Sequence, residues 1–405
     1  MRQEKLSELL DISMGRTPSR SESNYWGEGH KWVSIRDLNT KIITKTKEQI
    51  TDLAIKEARC RLVPKGTLLF SFKLTIGKMA FAGCDLFTNE AIAAFPIKDK
   101  TRLNSEFLYY ALLSAKFTGS NQAAMGKTLN SKSLADLEIP LPPHDDQIRI
   151  AHLLGKVEGL IAQRKQHLQQ LDDLLKSVFQ EMFGDPVRNE KGWKIEPCEK
   201  VVFDISSGTS YGGDERAFVG SDEVGVLKIS AVTKGTFDPT EFKVVNPAQI
   251  TKTLRFVKRG DFLFSRANTI ELVAACCIVQ QDYVRLFLPD KLWVLTLNSQ
   301  LVNSQFFNYL LKNERYRDVL RSLASGGHDS MLNISMKKFM TLGIPCPLIN
   351  LQDQFALIVE KVEGIRSRYQ QSLTELETLY GALSQQAFKG ELDLSRVSLT
   401  SESER

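Results

Sequence analysis

The sequence predicts an α+β chain in which two mixed α/β domains alternate with two long antiparallel helices that form a coiled-coil spacer. Three observations lead to this prediction: a gapless internal repeat, an apolar heptad pattern within each copy of the repeat, and a series of turns and short apolar runs before each copy. At 405 residues, the chain is long for one domain and comfortable for two.

The internal repeat aligns residues 139–183 with residues 344–388. Fifteen of these 45 positions are identical, against about three expected from average composition. The identities include Gln147 with Gln352 and the segment 156–159 with 361–364, both Lys-Val-Glu-Gly. A match of this length without a gap indicates that one structural element occurs twice.

Each copy has the apolar spacing of a coiled-coil helix, with steps of three and four residues. In the first copy the apolar positions are Ile150, Leu154, Val157, Ile161, Leu168, Leu171, Leu175, Val178 and Met182. In the second copy they are Phe355, Val359, Val362, Tyr369, Leu373, Leu376, Tyr380, Leu383 and Ala387. A helix with one apolar stripe is not stable alone in water, so we expect helices at 144–185 and 349–390 to pair antiparallel. The alternative is that each helix packs only on its own domain.

The segments before the helices are predicted to be domains at 1–143 and 190–348. In each, a turn leads into a short apolar strand: Pro64-Lys65-Gly66 before Leu69-Phe70-Ser71, and Lys258-Arg259-Gly260 before Leu263-Phe264-Ser265. Similar short helices are expected near Phe107 and Phe306. The tail at 395–405 has the composition of a disordered segment.

Composition places the chain among cytoplasmic proteins. It has no apolar run of membrane-spanning length, and its polar start predicts no signal peptide. The six cysteines include no CxxC pair, which favours reduced thiols and argues against a zinc site. The net charge of +5 is compatible with binding a polyanion, but an ordinary, slightly basic protein would have the same charge.

The sequence lacks the motifs of common catalytic sites. Gly126-Lys127-Thr128 is not preceded by the first glycine of a phosphate-binding loop. Leu141-Pro142-Pro143-His144 lacks the amide or carboxylate and the aromatic residue that an amino-methyltransferase motif needs, and the chain has no glycine-rich fingerprint for a methyl donor. The histidines lack metal-ligand spacing. We therefore expect no catalysis by this chain, no bound cofactor and no metal.

Two domain–helix units in tandem resemble the specificity subunit of type I restriction–modification systems. The resemblance lies in three stretches: residues 12–38, residues 206–273, and the Ile-Pro-x-Pro runs into long helices, the second of which closes as Ala387-Phe388-Lys389-Gly390. It implies two target-recognition domains, each reading half of a split, asymmetric DNA site. It also implies two partner adenine methyltransferase subunits that use S-adenosylmethionine, and two restriction subunits that use ATP and Mg²⁺, in a prokaryotic cytoplasm.

The candidate DNA contacts are basic, polar or aromatic side chains, because Arg and Lys make most phosphate contacts and Arg and Asn can read bases. In the first domain they are Arg16, Arg20, Tyr25, Lys31, Arg36, Lys73, Lys78 and Lys127. In the second they are Ser207, Thr209, Tyr211, Lys228, Arg266, Asn268 and His328. For each, the alternative is a solvated surface group, or for Asn268 a turn-capping amide. Lys156, Glu158, Lys361 and Glu363 are the candidates for methyltransferase docking.

Two other functions fit the same architecture. The first is a specificity subunit that serves a fused nuclease–methyltransferase. The second is a coiled-coil DNA-binding repressor without an enzyme partner, which would not need two unlike domains.

Overall fold

The structure, a computed structural model, describes residues 2–73, 75–115, 131–326, 331–395 and 397. The chain divides into two compact units: residues 1–165 with 371–405 form unit 1, and residues 166–370 form unit 2. The predicted disordered tail lies outside the described residues except for Ser395 and Val397. The domain boundaries 1–143 and 190–348 stay predictions.

Within its described residues, unit 1 contains three β-sheets, with strands numbered in chain order. β1 (Arg2–Lys5) pairs antiparallel with β10 (Glu138–Leu141). A five-stranded sheet has, in order, β2 (Ser13–Met14), β9 (Ile92–Phe95), β6 (Leu68–Ser71), β7 (Met79–Ala82) and β4 (Ile42–Ile43). A three-stranded sheet has β5 (Glu48–Ile50), β3 (Trp26–Val33) and β8 (Phe87–Thr88). The helices are α1 (Leu6–Leu9), α2 (Asp52–Glu57), α3 (Ser105–Ser114) and α4 (Ser131–Ala135).

Unit 2 has a matching two-stranded sheet, β11 (Lys194–Pro197) with β22 (Gly343–Cys346). This sheet and the β1–β10 sheet of unit 1 are each called the edge strand pair. One four-stranded sheet has β12 (Val202–Ser207), β20 (Leu292–Leu297), β16 (Phe262–Ser265) and β18 (Cys276–Ile278). Another has β14 (Phe242–Val245), β13 (Val224–Leu227), β19 (Tyr283–Phe287) and β15 (Phe256–Val257), and β17 (Ala267–Asn268) pairs with β21 (Leu332–Asn333). The helices are α6 (Cys198–Val201), α7 (Ser304–Lys312), α8 (Glu314–Leu323) and α9 (Met336–Met340).

The predicted turn–strand segments are present in both units. Gly66 and Gly260 adopt positive φ angles of 84° and 87°, which glycine tolerates without steric cost. The strands that follow, β6 and β16, are buried along their whole length, as short apolar runs bounded by turns predict. The two predicted short helices are α3 and α7, and each begins at an asparagine N-cap.

The two predicted long helices are confirmed as α5 (His144–Phe183) and α10 (Ile349–Lys389). In unit 1, Ile150 and Leu154 of α5 share a buried cluster with Ala387 of α10. In unit 2, the rings of Phe179 in α5 and Phe355 in α10 meet edge to face, with their centroids 5.5 Å apart, a favourable arrangement for aromatic pairs. The start of one helix therefore packs against the end of the other within each unit, and none of the predicted apolar seam positions is exposed.

A buried glutamine ties each helix start to its unit. In unit 1, Gln147 Oε1 accepts the Asn104 N–H at 2.8 Å, and Nε2 donates to the carbonyls of Arg102 at 2.7 Å and Pro142 at 3.0 Å. In unit 2, Gln352 makes the same bonds to Asn303 at 2.8 Å, Leu301 at 3.0 Å and Pro347 at 2.8 Å. The edge strand pair, this glutamine and the paired helix segments are called the frame of a unit below.

Candidate nucleic-acid interface

In unit 1, the loop after β2 runs close against the end of β8. A Cβ atom on Gly15 would lie 2.2 Å from the carbonyl oxygens of Thr88 and Asn89, so only glycine fits. Two residues later, the Thr17 hydroxyl donates a hydrogen bond to Glu90. The predicted contact residue Arg16 lies between these two anchors with an exposed side chain, and its Nη1 donates to the Ala58 carbonyl at 3.4 Å.

Arg20 is held over an aromatic cluster at the end of the same loop. Its guanidinium carbon lies 3.8 Å from the centre of the Trp26 ring, and Trp26 meets Trp32 edge to face. Glu48 forms an ion pair with the same guanidinium. The hydrogen bond to Glu48 is the largest cause that raises the pKa of Arg20, and the charge of Glu90 raises it further.

The other predicted residues of unit 1 are distributed over neighbouring loops. Tyr25 donates to Glu57, and the Lys31 ammonium lies 3.3 Å from the Cys84 sulfur. Lys78 donates to the Asn39 side chain at 3.3 Å, and Asn39 donates to the carbonyl of Arg36, so this lysine and this arginine lie near each other. Lys73 also lies between β6 and β7, and its ammonium is 5.5 Å from the centre of the Phe72 ring.

In unit 2, Ser207 is the last residue of β12, and Thr209 lies in the corresponding loop after this strand. A Cβ atom on Gly208 would lie 1.7 Å from the Leu288 carbonyl oxygen, the same requirement as at Gly15. Two residues beyond this glycine, Ser210 donates to Asp290, and the Asp290 N–H donates back to the Ser210 hydroxyl at 3.2 Å.

Arg266 contacts the same pair of loops, the one after β12 and the one before β20, through Asp290. Its Nε donates to the Asp290 carbonyl at 3.0 Å, its Nη2 lies 3.5 Å from the Asp290 carboxylate, and its Nη1 donates to Asn333 at 3.0 Å. The structure therefore brings together Ser207, Thr209 and Arg266 of the predicted set.

Two further predicted residues of unit 2 have other partners. The Asn268 side chain accepts the N–H of Thr269 at 2.8 Å, which is the turn-capping alternative. The Tyr211 hydroxyl accepts the N–H groups of Thr251 at 3.3 Å and Lys252 at 3.2 Å. Burial acts to raise the pKa of Tyr211, but these hydrogen bonds outweigh it and lower the pKa.

Lys228 lies between two carboxylates. Its ammonium lies 2.9 Å from the Glu241 carboxylate and 3.5 Å from the Glu215 carboxylate, and the hydrogen bond to Glu241 is the largest cause that raises its pKa. Two predicted contacts, Lys127 and His328, lie outside the described residues.

Sequence reasoning missed the carboxylates that organise these loops, Glu90 and Asp290. Each stands two residues before an interior strand of its sheet, β9 or β20. Their partners, Thr17 and Ser210, each stand two residues after the tightly packed glycine. This shared spacing is a signal in the sequence, but it becomes visible only when the two loops are aligned with each other.

The predicted docking residues differ in their surroundings. The Glu158 carboxylate accepts hydrogen bonds from Tyr110 at 2.7 Å and Lys41 at 3.2 Å within unit 1. Glu363 accepts a hydrogen bond from Arg366 at 2.7 Å within unit 2. Lys156 and Lys361 have exposed side chains on the same helices.

Among the described residues, no group of His, Cys, Asp and Glu is arranged to hold a metal ion. In that same part of the chain, every helix is too short or too polar to cross a bilayer.

Comparison with known proteins gives one consistent result. Residues 2–172 match the family model of the type I restriction modification DNA specificity domain. The specificity subunit of the type I restriction enzyme MjaIX from Methanocaldococcus jannaschii is 28% identical over 228 residues, which are 51% of this chain and 52% of the relative. The EcoKI specificity subunit of Escherichia coli is 22% identical over 306 residues, 71% of this chain and 65% of the relative. The matched region spans about half to two thirds of these relatives.

Solved structures extend the likeness to almost the whole chain. The S subunit of a type I restriction–modification system from M. genitalium aligns with a TM-score of 0.58 and 15% identity, covering 96% of each chain. A chain from a structure of type I R-M complex assembly aligns with a TM-score of 0.56 and 17% identity, covering 96% of this chain and 98% of that one. At sequence identities this low, the likeness shows the fold alone.

The sequence and fold comparisons therefore agree. The chain is similar to specificity subunits of type I restriction–modification systems, and it shares the fold of a solved S subunit of such a system.

Proposed function

We propose that each unit reads one half of a split, asymmetric DNA sequence, and that the two long helices form a coiled-coil spacer between the readers. The observation that carries this proposal is one frame repeated with unlike loops. Thr17, Glu90 and Arg20 occupy the loop region of unit 1, where unit 2 has Ser210, Asp290 and Arg266. Similar scaffolds with different side chains suit two different half-sites.

The chain itself carries out no chemistry in this proposal. Two partner methyltransferase subunits bind S-adenosylmethionine and methylate an adenine in each half-site, and two restriction subunits use ATP and Mg²⁺, in the cytoplasm of a prokaryote. Extrusion of a base from the duplex costs a few kcal/mol, so a firm hold on both sides of the target helps the methyltransferase.

Repeated exposed side chains on the long helices support two equivalent docking sites. Leu160 and Ile365 occupy the same position of the repeat and are 49% and 41% exposed, and Leu174 and Leu379 are 47% and 46% exposed. Lys156 lies one helical turn before Leu160, and Lys361 one turn before Ile365. Since each unit carries one member of each apolar pair, each offers the same surface to one methyltransferase subunit.

The test is methylation mapping. The chain is expressed with the methyltransferase subunit encoded beside its gene, in a host without restriction, and N6-methyladenine is located by single-molecule sequencing. We expect one split, asymmetric motif that disappears when the chain is omitted. Methylation that is the same with and without the chain would oppose the proposal.

A further inference from the structure

Each unit fastens two loops together with a hydroxyl–carboxylate hydrogen bond at the same place. In unit 1, Thr17 in the loop after β2 bonds Glu90 in the loop before β9. In unit 2, Ser210 in the loop after β12 bonds Asp290 in the loop before β20. The residues differ, but the hydrogen bond and its position relative to the close-packed glycine are the same.

These bonds contribute little to the stability of the fold. Glu90 is exposed, and the Asp290 side chain is 44% exposed. Hydrogen bonds and ion pairs in contact with water typically add less than about 1 kcal/mol. Their occurrence in both units, whose sheets are otherwise built differently, therefore calls for a role other than stability.

The loops that they fasten carry the predicted DNA contacts. Arg16 directly precedes Thr17, and Arg20 lies three residues beyond it. Thr209 directly precedes Ser210, and Arg266 bonds Asp290 itself. A carboxylate near a polyanion weakens binding by repulsion, so its presence among these cations needs a compensating benefit. Fixing a flexible loop before the ligand arrives is such a benefit, because less conformational entropy is lost on binding.

We propose that Glu90 and Asp290 are equivalent positioning residues, which hold the DNA-reading loop of their own unit through Thr17 and Ser210. This inference rests on the proposed function. It assigns the two carboxylates to sequence discrimination through the loop and gives them no direct contact with a base.

The experiment uses the full chain with its methyltransferase subunit and a plasmid library that contains every single-base change of the wild-type motif. Four variants break the hydrogen bonds: Thr17→Val and Glu90→Ala in unit 1, and Ser210→Ala and Asp290→Ala in unit 2. Two matched controls, Thr17→Ser and Ser210→Thr, keep the hydroxyl. The readout is the ratio of methylation at the cognate site to methylation at each mismatched site.

Loss of either partner should have the same effect. Thr17→Val and Glu90→Ala should both lower discrimination about tenfold in one half-site, since a lost base-pair preference is typically worth about that factor. Ser210→Ala and Asp290→Ala should do so in the other half-site. Both controls should discriminate like the wild type. The half-site that is not affected, with a melting temperature within about 2 °C of the wild type, shows that the variant is folded.

Three results would overturn the inference. The first is unchanged discrimination in all four variants. The second is a loss in both half-sites from a single variant. The third is a changed base preference in Glu90→Ala that Thr17→Val does not share, which would make Glu90 a direct reader. If the wild-type chain directs no split motif at all, the proposed function fails instead.

Discussion

The frames of the two units are alike, whereas the layers built on them differ. Gln147 and Gln352 make matching sets of three hydrogen bonds, and both frames have an edge strand pair. Beyond the frame, the described residues form sheets of five and three strands in unit 1, and two sheets of four strands and one of two in unit 2. The same frame therefore occurs with two different arrangements of strands.

The contacts between the β-layer and the helices also differ between the two units. In unit 1, Lys41 in the β-layer reaches Glu106 at 3.0 Å in α3 and Glu158 at 3.2 Å in α5. In unit 2, Lys312 of α7 reaches in the opposite direction and donates to the Gly235 carbonyl at 2.7 Å. Both units therefore use a lysine at this contact, but the lysine comes from opposite sides and its acceptors differ: two carboxylates in unit 1 and a backbone carbonyl in unit 2.

The largest expected effect is a difference between the two frames in the free energy of unfolding, because one phenylalanine is buried more deeply than its repeat partner. Phe183 packs edge to face on Phe306 in unit 2 and is 3% exposed, and its repeat partner Phe388 packs on Phe107 in unit 1 but is only partly buried. Phe183→Ala should lower the free energy of unfolding by about 4 kcal/mol, and Phe388→Ala by about half as much. Urea unfolding measures both. Phe203→Ala, at a side chain that is 67% exposed, is the control, and equal losses at Phe183 and Phe388 would contradict the assigned burial.

The next prediction concerns what the frames share. Gln147→Leu and Gln352→Leu each leave one N–H and two carbonyl groups without their partner, which should cost about 3 kcal/mol. The two losses should agree within about 1 kcal/mol, because the hydrogen-bond sets match. Gln169→Leu, at an exposed position of α5, is the matched control. A difference of several-fold between the two buried positions would mean that the frames are not equivalent.

A smaller effect is expected at the loops, where the units differ. Arg266→Ala should lower discrimination about tenfold at one half-site, as expected for an arginine that contacts or supports base readout. Lys73→Ala should weaken binding to all duplexes alike and reduce the salt dependence of the binding constant by about one charge. Fluorescence anisotropy of the methyltransferase complex at several salt concentrations distinguishes these outcomes. An altered base preference in Lys73→Ala would contradict this expectation.

The smallest effect is a pH dependence within unit 2. Burial raises the pKa of Glu363, although Arg366 and Lys312 act to lower it. A carboxyl group whose pKa rises on folding stabilises the folded state below its unfolded pKa, and this contribution is lost as the pH rises through the folded pKa. Glu363→Gln cannot ionise, so its stability relative to wild type should increase from pH 4 to pH 7. Melting curves across this range test the sign, and a relative stability that falls with pH would contradict it. The effect is small because water screens the partly exposed group.

The helices could be predicted from the sequence because their signals are local. The predicted spans 144–185 and 349–390 differ from α5 and α10 by no more than two residues at an end, since proline and glycine mark the ends and the apolar period marks the faces. The turn before β6 could be predicted for the same reason. Pairing of the strands into sheets depends on contacts distant in sequence, which periodicity does not contain.

The side-chain environments were less predictable. Lysine is a residue type that often contacts phosphate, but the ammonium of Lys228 is already paired with two carboxylates from other segments, Glu215 and Glu241. Glu158 stays a candidate docking residue, and the sequence did not predict that Tyr110 and Lys41 donate hydrogen bonds to it within unit 1. Neither arrangement could be inferred without knowing which loops the fold brings together.

Exchange of one recognition domain tests the central claim, one reader on each frame, most directly. Residues 1–143 are replaced by the corresponding segment of another specificity subunit, the chimera is expressed with the methyltransferase subunit, and its methylated motif is mapped. The account predicts a motif in which one half is new and the other half is that of the original chain. A motif altered in both halves, from a chimera that still assembles with the methyltransferase, would contradict it.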